Sequence, residues 1–103
     1  MKLENYIYGN WITGDGEGQQ LYNAVTGEPV ATATTKGLDF KQILEYGRMV
    51  GNPALRKMTF HERGNMLKAL ALHLRNHLDK FYAISYKTGA TKADSWVDIE
   101  GGI

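Results

Sequence analysis

Cysteine is absent from this 103-residue chain, which excludes a disulfide framework, a thiolate zinc site and any cysteine nucleophile within these residues. Charge of one sign is missing as well. Twelve basic and eleven acidic residues leave a formal +1, so no electrostatic case exists for a nucleic-acid partner. There is no basic run of the kind that holds an anionic membrane surface, and no apolar stretch nears the roughly 20 residues of a membrane span. The opening Met1-Lys2-Leu3-Glu4-Asn5 carries no apolar signal region. The expectation is a cytoplasmic protein with neither nucleic acid nor membrane as partner. At this length and 43% hydrophobic content, the chain is one domain or part of one, and a lone domain so small buries only a little over half of its unfolded surface.

The first third reads as β. Tyr6-Ile7-Tyr8 and Trp11-Ile12-Thr13 are aromatic and β-branched flanks around Gly9-Asn10, a two-residue turn pair that tolerates positive φ. Gly14-Asp15-Gly16-Glu17-Gly18 is a loop. A second extended pair, residues 20–25 and 29–34, is joined around Thr26-Gly27-Glu28.

Helical spacing begins near Asp39. Phe40, Ile43, Leu44 and Gly47 fall on one face, and Gly51-Asn52-Pro53 is expected to end that helix. Thr59 and Glu62 form a capping-box pattern at the start of a second helix. Phe60, Leu67, Leu70, Ala71, Leu74 and Leu78 make its stripe, with a bend or restart around 78–80 and Gly89 as the left-handed stop. Thr91 and Asp94 repeat the capping pattern for a last helix, expected to be left unfinished. The fold class is therefore α+β, two N-terminal β-hairpins and then three helices, with residues 1–36 in hairpins and 37–103 helical.

Three constellations invite a chemical reading. His73 and His77 are four apart on a helix, but Glu62 lies about 16 Å along the axis at 1.5 Å per residue and cannot complete a metal site, so they read as rim histidines. Gly14, Gly16 and Gly18 resemble a dinucleotide fingerprint only in part: Gln19 takes the third glycine's place and no helix follows to offer free amides. Asp94, Asp98 and Glu100 cluster carboxylates with no nucleophile beside them, which favours a salt-bridged or solvated face. No residue is assigned a catalytic, cofactor-binding or metal role.

Apolar surface is the better lead. Leu72 lies opposite the main stripe, and Trp96, Val97 and Ile99 need cover on the last helix, as do Tyr6, Tyr8 and Trp11 among the strands. Leu72, Trp96, Val97 and Ile99 are the interface candidates, with another part of a longer chain, another subunit or a second copy as partner.

The order of signals resembles the opening of the aldehyde dehydrogenase superfamily, where a hairpin of the type F-I-x-G-x-W precedes N-P-x-T-G-E, a helix, an S-x-x-E-R helix start and E-T-G-K. The matching runs are 6–11, 23–28, 59–63 and 87–90. Ala24 stands where proline is usual and Ala90 where lysine is usual. Pro53-Ala54-Leu55-Arg56, Met58-Thr59-Phe60, Met66-Leu67-Lys68-Ala69 and residues 88–103 look like the bifunctional subfamily of phenylacetate breakdown. That subfamily joins a semialdehyde dehydrogenase to a hydratase-like domain. A single-function, CoA-linked group from benzoate breakdown opens in a similar way.

The resemblance implies a fragment of an α/β dehydrogenase fold. It implies NAD(P) for the parent, with a nucleophilic cysteine, a glutamate base and the cofactor site all beyond Ile103. The chain alone is then expected to be inactive and to act as scaffold. The rival reading is a free-standing α+β module for protein interaction or self-association.

Overall fold

The computed structural model describes residues 1–103. Four short strands come first, β1 (Asn5–Ile7), β2 (Asn10–Ile12), β3 (Gln19–Tyr22) and β4 (Pro29–Ala33). A helical run of α1 (Phe40–Tyr46), a π-turn (Gly47–Gly51) and α2 (Asn52–Lys57) follows, then α3 (Phe60–Arg75), α4 (Leu78–Tyr86) and α5 (Lys92–Ile99). Counting the first run as one gives two hairpins and four helices, the α+β order expected but with one helix more than the three expected, because the second is divided between Arg75 and Leu78 into α3 and α4. Contacts divide the chain into two units: residues 1–22 with 28–58, and residues 23–27 with 59–103.

In the first unit β1 and β2 are antiparallel, pairing Asn5 with Ile12, Tyr6 with Trp11 and Ile7 with Asn10. The turn is therefore Tyr8-Gly9, one residue earlier than the expected Gly9-Asn10. Both residues take positive φ, 54° and 76°, the signature of a type I′ turn. A tyrosine there is strained, but the register places the Tyr6 and Trp11 rings 5.0 Å apart and the Tyr8 ring edge-on to Tyr46 at 5.3 Å. Asn10 helps from the strand, donating from Nδ2 to the Tyr8 carbonyl at 3.0 Å.

β3 and β4 pair from Gln19 with Ala33 to Tyr22 with Pro29, with a bulge at Leu21/Tyr22. The expected strand to residue 25 stops at Tyr22, because the Asn23 side chain accepts from the amides of Val25 and Thr26 at 2.9 and 3.3 Å and turns the backbone away. The N-terminus adds a parallel edge to β4, with Leu3 donating to the Thr32 carbonyl and Thr32 to that of Met1. Ala31, at the centre of β4, is the chain's single buried apolar residue.

Asp39 caps α1 by accepting from the Gln42 amide. The expected stop at Gly51-Asn52-Pro53 does not occur. Gly51 is right-handed, at φ −68°, and the backbone stays helical to Lys57. The reason is the π-turn: the Asn52 amide reaches back five residues to the Gly47 carbonyl, widening the helix where proline's missing N–H and bulky ring would otherwise break it.

In the second unit both expected capping boxes form. Thr59 Oγ1 accepts from the Glu62 amide at 3.1 Å while Glu62 Oε2 accepts from the Thr59 amide at 2.6 Å. Thr91 and Asp94 do the same at 3.2 and 3.3 Å. The expected break lies between α3 and α4, where His77 leaves helical geometry at φ −124°, ψ 20°. Gly89 is left-handed at φ 87° and turns the chain after α4, although the helix itself ends two residues before, at the Lys87 cap. The last helix is finished rather than open: Glu100 caps it, Gly101 donates to the Trp96 carbonyl and Ile103 to that of Ile99.

These caps carry testable weight. Thr59→Ala or Thr91→Ala is expected to cost about 1 kcal/mol of helix stability, read as lost ellipticity and a lower thermal midpoint. The carboxyls of Glu62 and Asp94 are held below their ordinary 4.5 and 3.8 by side-chain and amide hydrogen bonds from their cap threonines. Each contribution is therefore complete above the ordinary value and is lost as pH falls through the lowered one. Helicity is expected to drop on acidification below about pH 4.5, and to do so less in a Thr59→Ala, Thr91→Ala double variant.

Candidate functional site

The second unit contains the one closely joined helix pair outside the α1–α2 run. α4 and α5 meet through small polar groups: Ser95, fully buried, bonds its hydroxyl to that of Ser85 at 2.8 Å. Tyr82 donates its phenol to Glu100 Oε1 at 2.7 Å, fastening the far end of α5. Two serines let the backbones approach, and neither hydroxyl is left without a partner. The loop of residues 23–27 closes the other end, where the Ala24 amide donates to the Lys87 carbonyl at 2.8 Å.

Beside this junction lies an open groove of about 420 Å³, lined by Leu74, Phe81, Ile84, Asp98, Ile99 and Ile103 among others. Its only ionisable side chain is Asp98, and the Ser85 hydroxyl that also lines it is already engaged with Ser95. The arrangement suits the binding of an apolar body with a cation at its edge, and supplies no nucleophile paired with a base.

Of the residues singled out for cover, Ile99 alone enters this groove. Trp96 and Val97 are exposed elsewhere on α5, and Leu72 is exposed on α3. The stripe of α3 fared differently from expectation. Phe60, Leu67 and Leu70 lie on the expected stripe, yet they are 88%, 59% and 52% exposed, because α3 packs extensively on no other element. The Arg63 guanidinium lies over the Phe60 ring at 4.6 Å, and its Nε is buried without an acceptor.

The other constellations resolve simply. The His73 and His77 rings meet edge to face at 4.7 Å, and no group of three or more metal-ligating side chains forms. In the glycine loop it is carbonyls, not amides, that point inward: Lys2 Nζ donates to Gly14 and Gly16 oxygens at 2.7 and 2.5 Å. Such a loop is the electrostatic opposite of a phosphate cradle. Of the three clustered carboxylates, Asp94 is committed to Thr91 and Glu100 to Tyr82, while Asp98 has no partner. The groove itself was not visible in the sequence, since the helical spacing of Leu74, Phe81, Ile84 and Ile99 says nothing of how α4 and α5 turn toward each other.

The hydrogen bond to Glu100, followed by burial, pushes the Tyr82 phenol up to about 12. Its folded value is raised, so its contribution is whole below the ordinary tyrosine value of 10.0 and is lost as pH rises from there. A spectrophotometric titration is expected to show one late tyrosine, absent from the Tyr82→Phe variant.

No family model matches this chain. Over 104 aligned residues it is 40% identical to 3,4-dehydroadipyl-CoA semialdehyde dehydrogenase of Aromatoleum evansii. The match takes in the whole of this chain and 20% of that protein. The chain thus spans about a fifth of the relative's length, and it is similar throughout to a portion of an aldehyde dehydrogenase.

Proposed function

We propose that this chain is a scaffold segment of a CoA-linked semialdehyde dehydrogenase of aromatic catabolism, and that it has no activity by itself. The observation that carries the reading is the match of its whole length to one fifth of such an enzyme. Two facts support it. The family's reaction runs through a cysteine thiolate, and the chain contains no cysteine. The structure also exposes apolar side chains in both units, from Trp11 and Phe40 in the first to Phe60 and Trp96 in the second, as a segment does when its cover lies elsewhere.

Surface area makes the point quantitative. The chain exposes 8170 Å², against about 5,800 Å² for a compact monomer of its mass and about 7,000 Å² for two separate compact bodies of half that mass. The excess is at least about 1,200 Å² by the more lenient comparison. In the parent the cover would be the rest of the chain or another subunit. NAD(P) and the catalytic cysteine would be held there too.

Two substrates fit the family reading. The runs 53–56 and 66–69, with residues 88–103, favour the bifunctional enzyme of phenylacetate breakdown. The CoA semialdehyde in the relative's name is compatible with either group. In both, the aldehyde carbon is oxidised to a carboxylate and the CoA thioester serves as a handle.

The purified chain, mixed with NAD+ or NADP+ and a CoA-linked semialdehyde, is expected to produce no reduced nicotinamide by absorbance. Turnover above the buffer blank would overturn the scaffold reading.

A further inference from the structure

The carbonyls from Ile84 to Lys87, at the end of α4, all have donors, and one of those donors comes from far away in the sequence. Lys87, Thr88 and Gly89 return their amides to Ile84, Ser85 and Tyr86 in turn, at 3.0, 2.9 and 3.2 Å. The next carbonyl, that of Lys87, accepts at 2.8 Å from the Ala24 amide, in the loop between β3 and β4. A helix end leaves its last carbonyls without intrahelical donors, so this bond completes the cap of α4. Gly89, left-handed at φ 87°, turns the chain beside it, and a Cβ there would already touch the Ala24 methyl at 3.5 Å.

The loop has its own internal bonds. Asn23 Oδ1 accepts from the amides of Val25 and Thr26 at 2.9 and 3.3 Å, and the Asn23 carbonyl accepts from that of Gly27 at 2.8 Å. Three amides are thus turned in on Asn23, while that of Ala24 points outward to Lys87. Residues 23–27 accordingly group with 59–103, although they join two strands of the other unit. Residue 24 decides whether the bond exists, because a proline has no N–H to give. Ala24 is one of the two departures from the family pattern, and Ala90, the other, directly follows Gly89. The two departures fall on the two sides of one contact.

We propose that residues 23–27 form a strap over the end of α4, with the Ala24 N–H as its catch, and that this strap governs how often the segment around Lys87–Thr88 opens. Local opening of this kind is drawn from regions with few buried contacts, and Ala24, Lys87, Thr88 and Gly89 are all exposed. Loss of one hydrogen bond shifts such an opening equilibrium about threefold to tenfold. The strap needs no other part of a longer protein, so its failure would leave the family reading intact, and activity assays do not bear on it.

Limited proteolysis with trypsin reads the opening directly, because trypsin cuts after lysine and the Lys87 carbonyl is the group the strap holds. Cleavage of a locally opened segment tracks the open population when reclosing is fast. Ala24→Pro is expected to speed cleavage after Lys87 about threefold to tenfold. Ala24→Ser keeps the N–H and should stay within about twofold of the unaltered chain. Cleavage after Lys57, in the other unit, should move by less than about twofold in both variants, which separates a released strap from a general loss of stability. In the unaltered chain, hydrogen exchange by NMR should show the Ala24 amide at least about threefold slower than in an unstructured peptide, a measurement that needs no variant to fold. An Ala24 amide exchanging at the unstructured rate overturns the proposal. So does an Ala24→Pro variant with unchanged cleavage after Lys87, or one in which both sites speed up together.

Discussion

Burial is the scarce quantity in this molecule, and the rest of its structure follows from that scarcity. Three residues, Gly14, Ala31 and Ser95, are shielded from solvent, and only Ala31 has an apolar side chain. Hydrophobic burial is ordinarily the dominant force set against chain entropy. Where so little is buried, order has to come from interactions between residues near in sequence. The helices accordingly begin at side-chain caps: Asp39 for α1, Thr59 with Glu62 for α3, Thr91 with Asp94 for α5. The strands are short, and both hairpins are closed by local devices, a type I′ turn at Tyr8-Gly9 and the Asn23 side chain folded over its own backbone.

The junction of α4 and α5 shows the same economy. Trp96 and Val97 stay largely exposed on α5. The seam is instead made by hydroxyls. The Ser85–Ser95 bond fixes how close the helices come, and the Tyr82–Glu100 bond fixes the rotation of α5 about its axis. That rotation puts Ile99 and Asp98 on the groove side. The groove is thus a by-product of polar contacts, apolar itself because the polar groups nearby are spent on holding the pair.

This division explains what could be read from the sequence. Caps and breaks are local, and the pattern Thr-x-x-Glu at 59–62, its echo at 91–94 and the interruption near Leu78 identify themselves without any knowledge of distant residues. Misreadings occur where a distant contact outweighs a local preference. Gly9-Asn10 is the better turn by composition, yet Tyr8-Gly9 wins because it sets Tyr6 against Trp11 and Tyr8 against Tyr46. Pro53 is a helix breaker by itself, yet a π-turn four residues earlier makes room for it. The stripe of α3 failed in the opposite sense. Its periodicity was right, and the helix formed, but periodicity reports which face asks for cover and not whether the chain provides it.

That last distinction bears on function most directly. An amphipathic helix left bare is wasteful for an isolated module, because its apolar face adds solubility risk and contributes nothing to binding until a partner arrives. In a segment of a larger enzyme the same helix is simply half of a contact. The full-length likeness to one fifth of a semialdehyde dehydrogenase and the bareness of Phe60, Leu67 and Leu70 arise independently, one from sequence and one from geometry. Both agree with the scaffold reading proposed above, since the helices are well capped and left largely uncovered within the chain. In that reading, the unpaired Asp98 at the edge of an otherwise apolar groove would be met by an apolar ridge flanked by a cation.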